Sequence, residues 1–109
     1  ERQEAVPHVE AIIADETDSF MTWLHSLEIV PVIAGLRTKA EVIRRTEVDK
    51  TLRHLKDLSE ADKRRIEALS EALVSKLLHD PTLRLKAEAS NGHAAEYAAA
   101  VRHLFALGK

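Results

Sequence analysis

Apolar positions in the first quarter of the chain recur three and four residues apart: Val9, Ile12 and Ile13, then Phe20, Trp23, Leu24 and Leu27. That spacing returns each side chain to one face of a 3.6-residue helix, so the pattern predicts a long first helix over 1–27. Pro7 lies inside it and lacks a backbone donor, which predicts a frayed lead-in or a kink. Pro31 biases Val30 away from helical geometry and suits a first turn itself, so a turn is expected at 28–31. A second helix over 31–55 follows from Ile33, Leu36, Ala40 and Ile43, continued by Val48, Leu52 and Leu55. Ser59, three residues before Asp62, reads as an N-cap with an acidic first turn. It opens a third helix whose stripe is Ile66, Leu69, Leu73 and Leu77, flanked by Val74 and Leu78. Pro81 should force Asp80 out of helical geometry, so this helix is expected to stop near His79, with a short fourth helix through Leu83, Leu85 and Ala87. After a break at Ser90, Asn91 and Gly92, a final helix carries Ala94, Tyr97, Ala98, Val101, Leu104 and Phe105 and is ended by Gly108. Its alanine-rich body is expected to be loosely held.

Composition agrees with the pattern. Glycine and proline number three each in 109 residues, too few for the turns of a sheet protein. A chain of this length supports one domain with one modest core. No repeat and no Gly/Ser-rich linker interrupts it, so the expected fold is all-α, an antiparallel helical bundle with short connections. Eighteen acidic residues against sixteen basic ones leave no net positive field to gather phosphates. The absence of cysteine excludes disulfides, thiolate zinc sites and a thiol nucleophile, and makes the cytoplasm the expected compartment. The apolar stretch at 29–36 is short of the roughly 20 residues of a membrane span, so no membrane partner is expected.

Candidate chemistry is sparse. Gly35, Gly92 and Gly108 lie too far apart for a dinucleotide fingerprint or a phosphate loop. The six histidines never pair at i, i+4, and no glutamate has a histidine three residues on, so helical zinc and di-metal sites are not expected. Glu4 with His8 and His79 with Asp80 read as surface pairs. His79, with Pro81 after it, is expected to mark a helix terminus, where a cation caps the last carbonyls. Arg44, Arg45, Lys63, Arg64 and Arg65 alternate with Glu41, Glu47, Glu60 and Glu67 and read as a solvated helix face, with RNA phosphates as the sharper alternative. The stripes of Phe20, Trp23, Leu24, Leu27, Ile33, Leu36, Ile43, Ile66, Leu69, Leu73 and Leu77 serve equally as core or as a partner-facing seam, because both demand the same spacing. For Trp23 the core reading is preferred. Catalytic, cofactor-binding and metal-ligating residues are not expected in this chain.

Two stretches read whole are more specific. FMTWLHSLEIVPVIAGLRTKAEVIRRTEVDKTLRHL covers Phe20 to Leu55, and LSEALVSKLLHDPTLRLK covers Leu69 to Lys86. Together they resemble the C-terminal dimerisation domain of the glutamyl-tRNA reductase family. Phe20, Trp23, Leu24, Val30, Pro31, Leu36 and Arg37 match the family's first signature. Val74, Lys76, Leu77, Leu78, His79, Pro81, Thr82 and Arg84 match its second, with Ser75 standing where asparagine is usual. The resemblance runs from about Glu10 to Lys86 and weakens over Tyr97 to Phe105.

The resemblance implies a parent enzyme that uses NADPH to reduce glutamyl-tRNA to glutamate-1-semialdehyde in tetrapyrrole (porphyrin) biosynthesis. Its catalytic cysteine and its NADPH-binding domain would lie upstream of Glu1. The implied layout is the end of a long spinal helix at 1–27, a dimerisation core at 28–89 and a variable C-terminal helix at 90–109, forming a homodimer. The residues alone also allow a helical adaptor or regulatory module that binds a different protein through the same stripes.

Overall fold

The computed structural model describes the backbone of residues 2–108 and the side chains of residues 19–108, apart from Thr22 and His25. The sequence expectation for Glu4 and His8 lies outside the described side chains. The described residues form three helices: α1 (Arg2–His54), α2 (Glu60–Ser90) and α3 (Ala94–Leu104). The all-α expectation holds, but a spinal-helix end with four further helices does not, because two of the expected breaks are absent.

Helix α1 runs unbroken through Pro7 and Pro31, and α2 through Pro81. A proline inside a helix costs about 3 kcal/mol, since it removes a hydrogen bond and crowds the carbonyl four residues back. Around Pro31, Ile29, Val32, Ile33 and Leu36 are all buried, and each such side chain contributes roughly 1.5–3 kcal/mol. Leu78, Thr82 and Leu85 are likewise buried around Pro81. Burial on both sides therefore outweighs the local preference. The carbonyls freed by the two rings belong to Leu27 and Leu77, both exposed residues, so water can satisfy them. The expected turn at 28–31 and helix end at His79 are thus corrected: His79 and Pro81 stand in the body of α2, more than two turns from its end.

The breaks that do occur have their own chemistry. Asp57 takes a left-handed conformation (φ 64°) between α1 and α2, which a short polar side chain tolerates. The Ser59 hydroxyl then accepts from the Asp62 amide at 3.0 Å, the N-cap read from the sequence. At the end of α2 the His93 amide donates to the Glu88 carbonyl and the Gly92 amide to the Ala89 carbonyl, 2.9 and 3.2 Å, with Gly92 at φ 86°. This is a Schellman cap. The same pattern closes α3, where the amides of Leu107 and Ala106 donate to Arg102 and His103. There the left-handed residue is Ala106 (φ 50°) rather than a glycine.

The helices lie side by side as a slab with extents of 81 × 30 × 15 Å. Its length is set by α1, whose 53 residues rise about 80 Å, and its depth is little more than one helix. The core sits midway along α1, at the α3 end of the α1–α2 hairpin: Ile29, Val32 and Ile33 of α1 pack with Leu85 and Ala89 of α2 and Ala94 and Ala98 of α3. Ala94 and Ala98 are 1% exposed. The alanine-rich helix is therefore held closely, its small side chains letting the backbones approach.

By length and composition, α1 between Ser19 and His54 is apolar enough to cross a membrane, which corrects the shorter stretch read from the sequence. Four of its apolar side chains, Ile29, Val32, Ile33 and Leu36, are buried within the protein.

Candidate functional site

Beyond the three-helix end, α1 and α2 continue alone as a hairpin, and the side chains between them fix its register. Arg44, buried on α1, donates from Nε to the Glu41 carboxylate at 2.9 Å and from Nη1 to the Ser70 hydroxyl at 3.2 Å. A second guanidinium nitrogen bonds the other Glu41 oxygen, and Glu71 lies 3.9 Å away. The hydrogen bond from Arg44 is the main cause that holds the Glu41 carboxyl below its ordinary range; partial desolvation opposes it, and the charges of Arg44 and Arg45 add to it. Arg45 reaches Glu67 at 3.1 Å. The cluster read as a solvated face is thus partly a crossbar between α1 and α2. Sequence reasoning missed the burial of Arg44; the i, i+3 spacing from Glu41 was its only visible sign.

The two faces of this hairpin differ. One is a groove of about 360 Å³ whose floor and walls include Leu36, Ile43, Leu73, Leu77 and Phe105, with Lys39 and Glu47 among its lining. On the other side of α1 a more open hollow of about 710 Å³ is lined by Arg37, Thr38, Glu41, Val42, Arg45, Thr46, Val74 and Leu78. Leu73 and Leu77 are 61% and 76% exposed, and Ile43 and Leu69 are more than half exposed. Phe105 is held at the groove by the end of α3: Lys39 Nζ donates to its carbonyl at 2.6 Å, a cation on the negative end of the helix. Leu107 packs over Gly35, whose missing Cβ would lie 3.8 Å from its Cδ1.

Nearer the N-terminus, Phe20, Met21, Trp23, Leu27 and Val30 are exposed on α1, with the rings of Phe20 and Trp23 5.9 Å apart. The preferred core reading of Trp23 is therefore corrected for the single protomer, where it is 56% exposed. Of the eleven stripe residues, Ile33 and Leu36 are buried, Leu24 and Ile66 are half-buried, and Phe20, Trp23, Leu27, Ile43, Leu69, Leu73 and Leu77 are exposed. The structure thus divides within one chain a set that the sequence left undivided.

Other chemistry is thin. Lys63 and Arg65 pair with Glu60 and Asp62, which leaves little of the basic cluster for phosphates. Among the described residues no group of three or more His, Asp or Glu side chains is placed to hold a metal ion. The glycines do not fit a nicotinamide cofactor: Gly35 is inside α1 under Leu107, and Gly92 and Gly108 are left-handed residues after helix ends, whereas a pyrophosphate needs a glycine turn opening a helix.

A family model described as the dimerisation domain of glutamyl-tRNAGlu reductase matches residues 8–107. Among curated proteins the chain is similar to the glutamyl-tRNA reductase of Syntrophobacter fumaroxidans, 46% identical over 107 residues, which cover 98% of this chain and 23% of that protein. That of Geobacter sulfurreducens is 44% identical, covering 98% and 25%, and that of Heliobacterium mobile 37%, covering 98% and 24%. The chain spans about a quarter of the length of the curated relatives it matches. No solved structure matches it.

Proposed function

The chain belongs to the dimerisation-domain family of glutamyl-tRNA reductases, and on that premise we propose that it pairs with a second copy of itself through the apolar face of the α1–α2 hairpin. The observation that carries this reading is the uncovered groove. In a slab 15 Å deep, the apolar sides of Ile43, Leu73 and Leu77 have no third layer to bury them, while the opposite side carries Arg37, Glu41 and Arg45 in its lining. A single-layer hairpin of this kind gains stability by stacking its apolar face on another, and a closed homodimer does so with one two-fold axis. Exposed apolar surface this continuous marks an interaction site. Phe20, Trp23 and Leu27 form a separate exposed apolar strip, roughly half a turn round α1 from Ile43.

The parent protein is proposed to be an NADPH-dependent reductase acting on glutamyl-tRNA, forming glutamate-1-semialdehyde for porphyrin synthesis in the cytoplasm. In that protein this domain contributes pairing geometry; the nicotinamide and the reacting ester are handled elsewhere, since the residues here fit neither. The implied division into a spinal-helix end at 1–27, a dimerisation core at 28–89 and a C-terminal helix at 90–109 needs one adjustment in physical terms, because α1 joins the first two parts without a break. Neither a metal nor a membrane is part of the proposal.

Molar mass measured by light scattering or sedimentation across a dilution series tests this reading. A mass of twice the 12.2 kDa chain, falling only at high dilution, is the expected result. A folded monomer at every concentration overturns self-association by this chain.

A further inference from the structure

Resting on that reading, we propose that the two copies meet in a single antiparallel register, with the two-fold axis crossing α1 at Ile43 and α2 at Leu73 and with Lys39 of each copy paired with the partner's Glu47. Lys39, Ile43 and Glu47 are one i, i+4 row of α1, and all three line the same groove. When a helix packs antiparallel on itself about one residue, positions equally far on either side of it come face to face. About Ile43 those positions carry opposite charges, and the symmetric pair forms twice at the rim. About Glu47 two carboxylates would meet, and about Ala40 the partner's Glu47 would fall on buried Ile33.

Helix α2 presents a row of the same period. Leu69, Leu73 and Leu77 are all exposed, and rotation about Leu73 lays Leu69 on the partner's Leu77. The alternative axis, parallel to the helices, would stack α1 on the partner's α2. The bonds of Arg44 to Ser70 and of Arg45 to Glu67 set the level of the two helices, so that arrangement would lay Lys39 over Leu73 or Val74 and Glu47 over Ile66. Two charges would then be buried against hydrocarbon without partners.

The same bonds orient the axis. The residue of α2 level with Ile43 is close to Ser70, and Leu73 is about 4.5 Å further along. Across an interhelical spacing of about 10 Å, an axis over both residues lies about 25° from the perpendicular, so the facing helices cross at about 50°. That is the angle favoured when i±4 rows of both helices interlock, which is the kind of row each helix offers.

The chain has no cysteine, which makes a direct test available. Ile43→Cys, oxidised with glutathione disulfide, is expected to form a covalent dimer, because a disulfide needs Cα atoms about 5.5 Å apart and only a residue at the axis meets its own copy. Val42→Cys, exposed on the opposite side, should remain uncrosslinked. Lys39→Glu and Glu47→Lys are each expected to weaken homodimerisation about tenfold or more, while an equimolar mixture of the two forms the heterodimer, in which both pairs are again opposite in charge. Lys39 also donates to the Phe105 carbonyl, but an effect confined to one chain would not be rescued by the Glu47→Lys partner. Homodimers of unchanged strength with no preference on mixing, or crosslinking of Val42→Cys as readily as Ile43→Cys, overturns the register and leaves self-association standing. A monomeric parent chain overturns both.

Discussion

The two ends of the α1–α2 hairpin are built from the same kinds of residue and finish differently. At the α3 end, aliphatic side chains on α1 and α2 meet a third helix, and Ile29 and Val32 are left 1% and 2% exposed. In the hairpin, side chains of similar size at Ile43, Leu73 and Leu77 remain more than half exposed. The difference comes from the third helix, which is only 11 residues long and covers about 17 Å of an 81 Å molecule. The closed end supplies protomer stability, and the open end leaves apolar surface that the proposed pairing would cover.

Replacing Ile29 with Ala removes packed atoms from the closed end and is expected to cost about 2–5 kcal/mol in denaturant unfolding of the chain. Leu77→Ala, at the open end, is expected to leave a dilute monomer's unfolding within about 0.5 kcal/mol of the parent and to weaken the dimer at least tenfold, measured by sedimentation. Equal unfolding losses from both variants would erase the distinction between the ends.

The two helix ends beside the core sharpen the comparison at a smaller scale. Gly92 and Ala106 hold the same left-handed position in the same cap. An L side chain there costs roughly 1–2 kcal/mol. Gly92→Ala is therefore expected to lower the melting temperature and Ala106→Gly to raise it, each by a few degrees. Movement of both in the same direction would show that the caps are not equivalent.

The smallest effect is electrostatic and belongs to the hairpin. Glu41 has its carboxyl pKa held below the ordinary value of 4.5, first by the Arg44 hydrogen bond. Because the folded value is the lower one, the contribution is fully present above the unfolded pKa and is lost as pH falls through the folded one. Melting curves of the parent chain and Glu41→Gln should differ most near neutral pH and converge as pH drops below 4.5. A constant gap across that window would remove Glu41 from the pH response.

The sequence made the helices legible wherever a side-chain rule acts within a few residues. The Ser59 cap, the Asn91–Gly92 break and the 3–4 stripes all depend on neighbours along the chain. Rules that depend on distant partners failed. Pro31 and Pro81 read as stops because proline's local cost is visible in the sequence, whereas the burial that offsets it, of Ile29 and Val32 or Thr82 and Leu85, comes from other helices. Trp23 read as core because an indole is apolar, but exposure is a property of what lies opposite. Arg44 read as surface because charge normally seeks water; Glu41 pairs its guanidinium locally, and the approach of α2 with Ser70 and Glu71 completes its burial.

Periodicity, capping residues and composition by themselves determined an all-helical chain, its N-cap at Ser59, and the family to which the two signature stretches point. They work because helix formation and motif resemblance are read from residues close together in the chain. The tertiary structure alone decided that three helices replace five, that Ile33 and Leu36 are buried while Ile43, Leu73 and Leu77 are not, and that one side of the hairpin is apolar and open. Burial is set by which surfaces meet in space, and an identical apolar stripe satisfies a core or an interface equally well until the neighbouring helix is in place.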